Sequence, residues 1–397
     1  MSDRMPTPIV VEEAAPPSPP ARPRRRRRLV VAVVAVLALV GAVVAGLLLA
    51  RRPTPVPAPA PSPAPTEVPT PPAASKALCL PRLLFGFYAA GLQQSRCYGS
   101  CQPGDNGYEA QEATRARIRE LRRMGVNYVV NNQGIAKRFE RNPQAYYELL
   151  ADLHRNGIRV SYSVASGGGV WYDDNGRFDP SGAEREFART DLNGDGVSDL
   201  DGRLDVLFLG HEVMEYAVHA DRVRMYDVAK KWFPTTPVSV YYGGFMRPFE
   251  QPGRDHPKAG TWRDYQYGPG ETDIVHATVT ASDGSGGFDP NRFAAEVRTR
   301  VQIVQRLSPG VPVVLHTSFA GDDRMDSQPD SMWSPQKLRQ WYDAMVSVPG
   351  IRGVLLRSYD RFTYDLANPS FSAERATWTA LGADAARRNG AAEGRRG

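Results

Sequence analysis

The sequence has little cysteine and none of the short glycine-rich motifs that bind nucleotides. Three cysteines allow one disulfide bridge and leave one cysteine over. The loop after the first predicted strand, residues 91–109, contains neither a GxGxxG pattern nor a Walker pattern. Open doubly wound sheets often carry such a phosphate-binding loop at this position. An open doubly wound sheet is therefore a less favoured α/β architecture for this chain.

The three cysteines lie on either side of the first predicted strand. Cys79 precedes this strand, whereas Cys97 and Cys101 follow it. Seven or eight extended residues span about 25 Å, which is far beyond the reach of a disulfide. The local pair Cys97–Cys101 is therefore favoured, unless the segment before the strand doubles back.

The chain beyond residue 52 lacks a net charge of either sign. The formal net charge of +6 comes entirely from residues 1–52, which carry nine Arg and three acidic residues, while the other 345 residues carry forty basic and forty acidic side chains. A balanced surface of this kind gives no electrostatic footprint for a polyanion. We therefore expect no nucleic-acid partner.

Residues 29–50 form an apolar run without a single charge. As a helix this run spans roughly 33 Å, enough for the ~30 Å hydrocarbon core of a membrane. Six arginines lie between positions 22 and 28, and two follow at 51 and 52, which predicts a cytoplasmic N-terminus and an extracellular C-terminal part. A cleaved signal peptide is the alternative, although its apolar region would usually be shorter, about 7–15 residues. A retained single-pass anchor in the cell membrane is favoured.

The composition divides the chain into five parts. Alternating proline keeps the segment after the anchor extended and unable to bury a core. The predicted parts are a basic cytoplasmic tail (1–28), a transmembrane helix (29–50), a disordered Pro-rich stalk (51–77), a folded domain (78–387) and a disordered tail (388–397).

The folded domain alternates β-rich runs with helical segments. Several of the runs are continuously apolar, as expected for strands buried on both faces. Asn142, Asp289 and Ser334 each precede a proline and predict N-capped helices. The eight predicted strands are 83–90, 126–131, 158–164, 204–209, 237–242, 273–278, 312–316 and 351–357. Eight strand–helix repeats in about 310 residues predict an α/β fold of the (β/α)₈ TIM-barrel class.

Active sites of such barrels lie at the carboxyl ends of the strands, so polar residues there are the candidates. The fourth strand leads into His211, Glu212 and Glu215, and the eighth leads into Arg357 and Asp360. The remaining strand-end candidates are Asn131, Asn132, Tyr241, Tyr242, His276, Asp283, His316, Asp322 and Asp323.

Glu212 at the end of the fourth strand resembles the acid/base glutamate of glycoside-hydrolase barrels. In retaining enzymes of that group an Asn usually precedes this Glu, and a nucleophilic Glu ends the seventh strand. Here His211 stands in place of the Asn, and the seventh strand ends in His316 and Thr317. The resemblance implies a glycosidase that acts on an envelope or extracellular polysaccharide.

Glycoside hydrolysis needs one carboxylic acid at the leaving oxygen and one carboxylate as nucleophile or base. Glu212 is the candidate acid. Asp360 is the first choice of partner, with Asp323 and Glu215 behind it. The alternative for Glu212 is an ion pair with Arg357 or another arginine at a strand end. Substrate contacts are predicted for Trp171, Tyr241, His211, His316, Arg357 and Trp262.

Aromatic residues in the loops after the third, fifth and seventh strands suit a saccharide cleft, because a sugar ring stacks on an exposed aromatic face. They are Trp171, Tyr172, Trp262, Tyr265, Tyr267 and Trp333. The alternative is that these rings roof the barrel, since large aromatics usually bury themselves.

The segment DLNGDGVSD at residues 191–199 has the ligand spacing of a calcium loop. Asp191, Asn193, Asp195, the Val197 carbonyl and Asp199 occupy positions 1, 3, 5, 7 and 9. Position 12 is a glycine, so the segment is not an EF-hand, and Asp-Asn-Gly clusters are also common in turns. A structural Ca²⁺ ion is predicted here.

Two other functions remain open from the sequence. His211, Glu215 and His219 are spaced to lie on one helix face, which would suit a zinc-dependent hydrolase, although HExxH is absent. The missing glutamate on the seventh strand favours a barrel that binds glycan or protein without catalysis.

Overall fold

The computed structural model describes residues 80–88, 107–131, 134–165, 170–279, 289–317, 334–356, 366 and 369–393. The predicted anchor, the stalk and all three cysteines lie outside these residues. No helix within the described part of the chain is both long and apolar enough to cross a membrane.

Eight parallel strands form a closed barrel in sequence order. The last strand pairs with the first, with Leu84 opposite Gly353 and Phe87 opposite Leu356, so the sheet has no free edge. The strands are β1 (Leu84–Tyr88), β2 (Tyr128–Asn131), β3 (Arg159–Tyr162), β4 (Val206–Gly210), β5 (Val238–Tyr242), β6 (Ile274–Thr278), β7 (Val313–Thr317) and β8 (Ile351–Leu356). The (β/α)₈ prediction is therefore confirmed, and the open doubly wound sheet is wrong.

Nine helices surround the barrel in the described residues. They are α1 (Gly107–Arg123), α2 (Ala136–Arg141), α3 (Pro143–Arg155), α4 (Ser181–Ala188), α5 (His219–Trp232), α6 (Arg247–Glu250), α7 (Pro290–Leu307), α8 (Pro335–Val346) and α9 (Ser372–Glu393). The three predicted caps are confirmed, because the side chains of Asn142, Asp289 and Ser334 each accept a backbone N–H from the first turn of α3, α7 and α8.

Helix α9 extends to Glu393 and thus enters the tail that was expected to be disordered. Asn389 accepts the N–H of Leu83 at 2.8 Å and donates to its carbonyl at 3.1 Å. Gly382 permits close contact, since a Cβ there would lie 2.0 Å from the Met124 carbonyl oxygen. These long-range contacts, which local composition does not reveal, hold the helix against the start of β1.

The core has two layers, one inside the barrel and one between the barrel and the helices. In the outer layer, Phe85 stacks on Trp378 of α9 with ring centroids 4.2 Å apart. The inner layer includes four buried polar side chains, Ser161, Ser239, His276 and His316. Polar groups in the interior of a barrel are costly unless they are hydrogen-bonded. His276 and His316 are therefore candidates for a functional role at the carboxyl end of the barrel.

Candidate active site

The residues that follow β4 lie at the carboxyl end of the barrel. The β4–β5 register shifts between Phe208 and Gly210, and such a bulge redirects the residues that follow it. His211 and Glu212 come next, and a short 3₁₀ helix (Val213–Glu215) closes the turn. The structure thus places Glu212 just after the fourth strand, as predicted.

Glu212 has a left-handed backbone, with φ 52° and ψ 43°. Within the described part of the chain it is the one non-glycine residue with positive φ. Such a conformation costs an L residue of order 1–3 kcal/mol and persists where the surroundings fix it, often at functional sites. The Glu212 carbonyl accepts the N–H of Glu215 at 2.9 Å, which is part of that fixation.

The Glu212 side chain is accessible, with 43% of its surface exposed. Its Oε2 lies 3.7 Å from Nε2 of His211. On the other side it lies against Gly243, where an added Cβ would be 2.6 Å from Cγ of Glu212. A glycine after β5 therefore leaves room for the carboxylate.

Four rings from four strand ends form a cluster beside this carboxylate. Tyr88 stacks on His316 with centroids 4.6 Å apart and an interplanar angle of 3°, and it lies 5.6 Å from His211. Tyr241 is 4.9 Å from His211 and 4.3 Å from His316. The structure therefore brings together three of the predicted substrate contacts and adds Tyr88.

Tyr88 is connected to Glu212 through His211. Its hydroxyl is hydrogen-bonded to Nδ1 of His211, whose other nitrogen faces Glu212. Sequence reasoning missed Tyr88 because it lies within the predicted strand 83–90, whereas candidates were chosen at the carboxyl ends. The period of two in that strand was the available signal, since Leu84 and Tyr88 both face the interior.

His276 lies deeper than the other histidines. Its ring is fully buried and packs edge-on against Phe208. Burial lowers the pKa of His276 to about 3, so the ring is neutral at physiological pH. His276 lies beneath the ring cluster and has no exposed surface with which to contact a ligand.

Glu215 is the described carboxylate that shares the turn with Glu212. An added Cβ on Gly244 would lie 3.4 Å from Glu215 Oε1, so both glutamates lie over consecutive glycines after β5. Glu215 also pairs with Arg247 at 3.5 Å, and both side chains are substantially exposed. The other predicted partners, Asp360 and Asp323, and the alternative ion-pair residue Arg357 lie outside the described residues.

Two predicted sugar-stacking residues, Trp171 and Trp262, are 0% and 4% exposed. Trp171 stacks parallel to Phe178, and Trp262 packs edge-on against His256 at 4.3 Å. Their faces meet protein rings, so the structure favours the packing role that was the alternative for them.

The zinc alternative requires His211, Glu215 and His219 on one helix. Instead, His211 lies in the turn, Glu215 ends the 3₁₀ helix and His219 begins α5. His219 donates from Nδ1 to Glu271 at 2.7 Å. Among the residues that the structure describes, no three His, Cys, Asp or Glu side chains are grouped to hold a metal ion. The helical zinc site is therefore not formed in this region.

The acidic segment 191–199 forms a turn before β4. Both carboxylate oxygens of Asp191 accept backbone N–H groups, from Gly194 at 2.7 Å and from Gly196 at 2.9 Å. Asp199 accepts the N–H of Leu192 at 2.6 Å. These bonds explain why acidic residues and glycines alternate here. Calcium binding by this segment stays a prediction.

The close contact at Gly243 gives a direct test of the geometry. Alanine at this position is expected to displace the Glu212 side chain, and for a reacting group an ångström-scale displacement of this kind lowers turnover about 10²-fold. Gly253→Ala is the matched control, because nothing lies within 4 Å of its Cβ position. Steady-state kinetics of both variants check this, and equal turnover would contradict it.

No family model and no curated protein matches the chain. Solved structures do match it. An exo-β-1,4-mannosidase from Opitutaceae bacterium strain TAV5 is 13% identical, with a TM-score of 0.50 over 79% of this chain and 62% of that one. An endo-1,4-β-mannanase from Rhizomucor miehei is 11% identical, with a TM-score of 0.48 over 76% of this chain and 95% of that one.

A Bacteroides uniformis β-glucuronidase is 15% identical, with a TM-score of 0.44 over 70% of this chain, which spans only 31% of that enzyme. The likeness to the mannosidase shows the fold alone: the described domain is a TIM barrel, as that glycoside hydrolase is.

Proposed function

We propose that this protein is a glycoside hydrolase with Glu212 as its catalytic acid. The observation that carries the proposal is the accessible carboxylate of Glu212, held in a left-handed turn at the carboxyl end of β4. The mannosidase whose fold it shares supports a glycan substrate by analogy of fold.

In the proposed reaction, Glu212 gives its proton to the glycosidic oxygen as the bond from that oxygen to the anomeric carbon breaks. Water then adds to the anomeric carbon, and its proton goes to a carboxylate. Asp360 is the first choice for the second carboxylate, followed by Asp323 and Glu215. A separation of about 5 Å would give retention, and about 6.5–9.5 Å would give inversion.

The substrate that we propose is an envelope or extracellular polysaccharide. The apolar run 29–50 and the arginines before it support a cell-membrane anchor with residues 53–397 outside. Protease treatment of intact cells checks this topology. Digestion of the barrel domain with an N-terminal tag left intact is expected, and protection of the barrel domain would contradict the proposal.

We also propose a structural Ca²⁺ ion in segment 191–199. The spacing of Asp191, Asn193, Asp195, the Val197 carbonyl and Asp199 supports it. Calcium at about 100 times its Kd would stabilise the fold by about 2.7 kcal/mol. The melting temperature of the full chain is therefore expected to rise by several degrees over its value in EDTA, and not to rise in Asp195→Ala.

The experiment that tests the function is release of reducing ends by the full chain from a panel of polysaccharides, with Glu212→Gln in parallel. Product from the wild-type chain and a strong loss in the variant are expected. Equal turnover of both proteins would remove Glu212 from the mechanism.

A barrel that binds glycan without cleaving it is the second candidate. It is favoured by the end of β7, where His316 and Thr317 stand in place of a glutamate. In that case the full chain would be retained on one polysaccharide of the panel in affinity electrophoresis while no reducing ends appear.

A further inference from the structure

The connection between β5 and β6, residues 243–271, packs against the turn that carries Glu212. It contains α6, a one-bridge hairpin with Asp255 opposite Thr261, and a 3₁₀ helix (Trp262–Tyr265). Arg247 of this connection pairs with Glu215, and His256, which is 5% exposed, contacts the carbonyl of Met214.

Both ring nitrogens of His256 are hydrogen-bonded, and the partners fix one tautomer. Nε2 lies 3.0 Å from the carbonyl oxygen of Met214, which can only accept. Nδ1 lies 3.1 Å from the backbone nitrogen of Lys258, which can only donate. The ring is therefore neutral, with its proton on Nε2.

The imidazole is fixed in place by aromatic packing. It stacks on Tyr265 with centroids 3.5 Å apart and an interplanar angle of 13°, and Trp262 packs against its edge. The Arg247 guanidinium lies 5.5 Å above the Trp262 ring and also pairs with Glu215. The contact with the 211–217 turn therefore comes from a rigid unit rather than a single loose side chain.

Met214 lies in the 3₁₀ helix immediately after the strained residue Glu212. A left-handed glutamate relaxes to an ordinary conformation unless the chain on both sides of it is fixed. Upstream, Gly210 is the last residue of β4 and pairs with Val240 of β5, so the chain enters the turn from a fixed strand. Downstream, the Met214 carbonyl is held by His256.

From this geometry we propose that His256 is a positioning residue that holds Glu212 in its left-handed conformation. The inference deepens the proposed function, because it takes Glu212 as the group that acts on substrate. His256 does not touch the Glu212 carboxylate and acts through the Met214 carbonyl.

The arrangement also predicts a dependence on pH. A proton on Nδ1 would face the N–H of Lys258, so protonation breaks one of the two hydrogen bonds. The charged groups that face His256 are Glu215, Arg247 and Lys258. Burial, the largest effect, lowers the pKa of His256 below its ordinary value. The hydrogen bond to the Met214 carbonyl and the charge of Glu215 oppose this shift, whereas Lys258 and Arg247 add to it.

Because the neutral form is favoured in the folded state, this contribution to stability is complete above the ordinary histidine pKa of about 6.5. It decreases as the pH falls through that value toward the lower pKa of the folded state. The turn around Glu212 is therefore expected to loosen in acid.

The test compares two variants of the full chain. His256→Phe keeps a ring to stack on Tyr265 but loses both hydrogen bonds, whereas His256→Gln keeps an N–H donor for the Met214 carbonyl. His154→Gln is the control, because His154 pairs with Asp205 at 2.8 Å and contacts none of these residues. Hydrogen exchange of the amides of Glu215 and Ala217, corrected for intrinsic rates, reports on the turn directly.

The phenylalanine variant is expected to exchange these amides about two- to tenfold faster than wild type, the effect of losing the hydrogen bond to the Met214 carbonyl, which is the one of the two that reaches the turn. The glutamine variant should lie between the two, and the control should match wild type. Protection in the wild type should fall with pH below about 6.5, and it should fall less in the phenylalanine variant, which lacks the titrating ring.

Kinetics separate this inference from the proposed function. If the chain cleaves a polysaccharide, His256→Phe should lower kcat with KM unchanged, and His256→Gln should restore part of it. If no polysaccharide is cleaved but exchange responds as described, the positioning role stands and the glycosidase proposal fails. Wild-type exchange rates in His256→Phe would overturn the positioning role, whatever the activity.

Discussion

Replacing Glu212 with glutamine is expected to lower turnover of an unactivated polysaccharide by about 10²–10⁴-fold, the usual contribution of a general acid. Glutamine has almost the same shape and retains an acceptor oxygen, but its amide N–H protons are far too weakly acidic to protonate a leaving oxygen. The sugar leaving group must then depart as an alkoxide, which is a poor leaving group. Glutamine is expected to keep the left-handed backbone because it differs from glutamate only at the end of its side chain, so the loss would report chemistry rather than folding.

The leaving group distinguishes an acid from a residue that only binds. An aryl glycoside releases nitrophenolate, which is a good leaving group and needs no full protonation. Glu212→Gln should therefore lose far less activity on this substrate than on the polysaccharide. Glu250→Gln, at an exposed position in α6, is the control and should leave both activities unchanged. The measurement is the steady-state rate of each of the two variants relative to wild type, on each of the two substrates.

An equal loss on both substrates would assign Glu212 to binding or to the nucleophilic step. In that case the acid must be sought among Asp360, Asp323 and Glu215. A Glu212→Gln variant as active as wild type on the polysaccharide would exclude Glu212 altogether.

The barrel could be predicted from the sequence because its signals are local. Strands buried on both faces show as short apolar runs, and capping residues followed by proline mark the helix starts at 143, 290 and 335. Helix α4 (Ser181–Ala188) was missed because it is short and two of its eight residues are a serine and a glycine. Both are weak helix formers, and buried contacts of Ala183 and Phe187 stabilise it instead.

The candidate site was predictable only where residues follow strand ends. That rule found Glu212, His211, Tyr241 and His316, because the topology of the barrel brings its strand ends together. It could not find His256, whose role depends on a contact across 42 residues between an irregular segment and a backbone carbonyl. Contacts of this kind are specified by tertiary packing and leave no periodic pattern in the sequence.

A second large effect is expected at Glu271, a carboxylate with no exposed surface. Its Oε2 accepts from Arg222 Nε at 2.8 Å and from His219 Nδ1 at 2.7 Å. Its Oε1 accepts from the Tyr242 hydroxyl at 2.9 Å. Burial and this carboxylate together raise the pKa of Tyr242 well above its ordinary value, so the phenol stays a donor.

Arg222 is 1% exposed and connects three parts of the fold. Besides Glu271, it donates to the Ala217 carbonyl at 2.6 Å and to the Gln266 carbonyl at 2.6 Å. Ala217 ends the turn that carries Glu212, and Gln266 belongs to the connection that holds His256. The buried pair therefore joins α5 to both segments that shape the candidate site.

Glu271→Ala should lower the free energy of unfolding by about 3–5 kcal/mol, because it leaves the Arg222 charge buried and unpaired. Glu184→Ala is the control: it removes a surface pair with Lys231 at 3.3 Å, and such pairs contribute about 0–1 kcal/mol. Urea unfolding of the full chain, followed by tryptophan fluorescence, measures both changes.

The double variant Glu271→Leu with Arg222→Met distinguishes the cost of an unpaired buried charge from the cost of the lost hydrogen bonds. Removing both charges leaves no unpaired ion, so this variant should be more stable than Glu271→Ala even though it loses more hydrogen bonds. If Glu271→Ala costs no more than the surface control, water reaches Arg222 and the pair is not sealed in the core. If the double variant is the less stable protein, the hydrogen bonds of Arg222 to Ala217 and Gln266, rather than its charge, hold the two segments together.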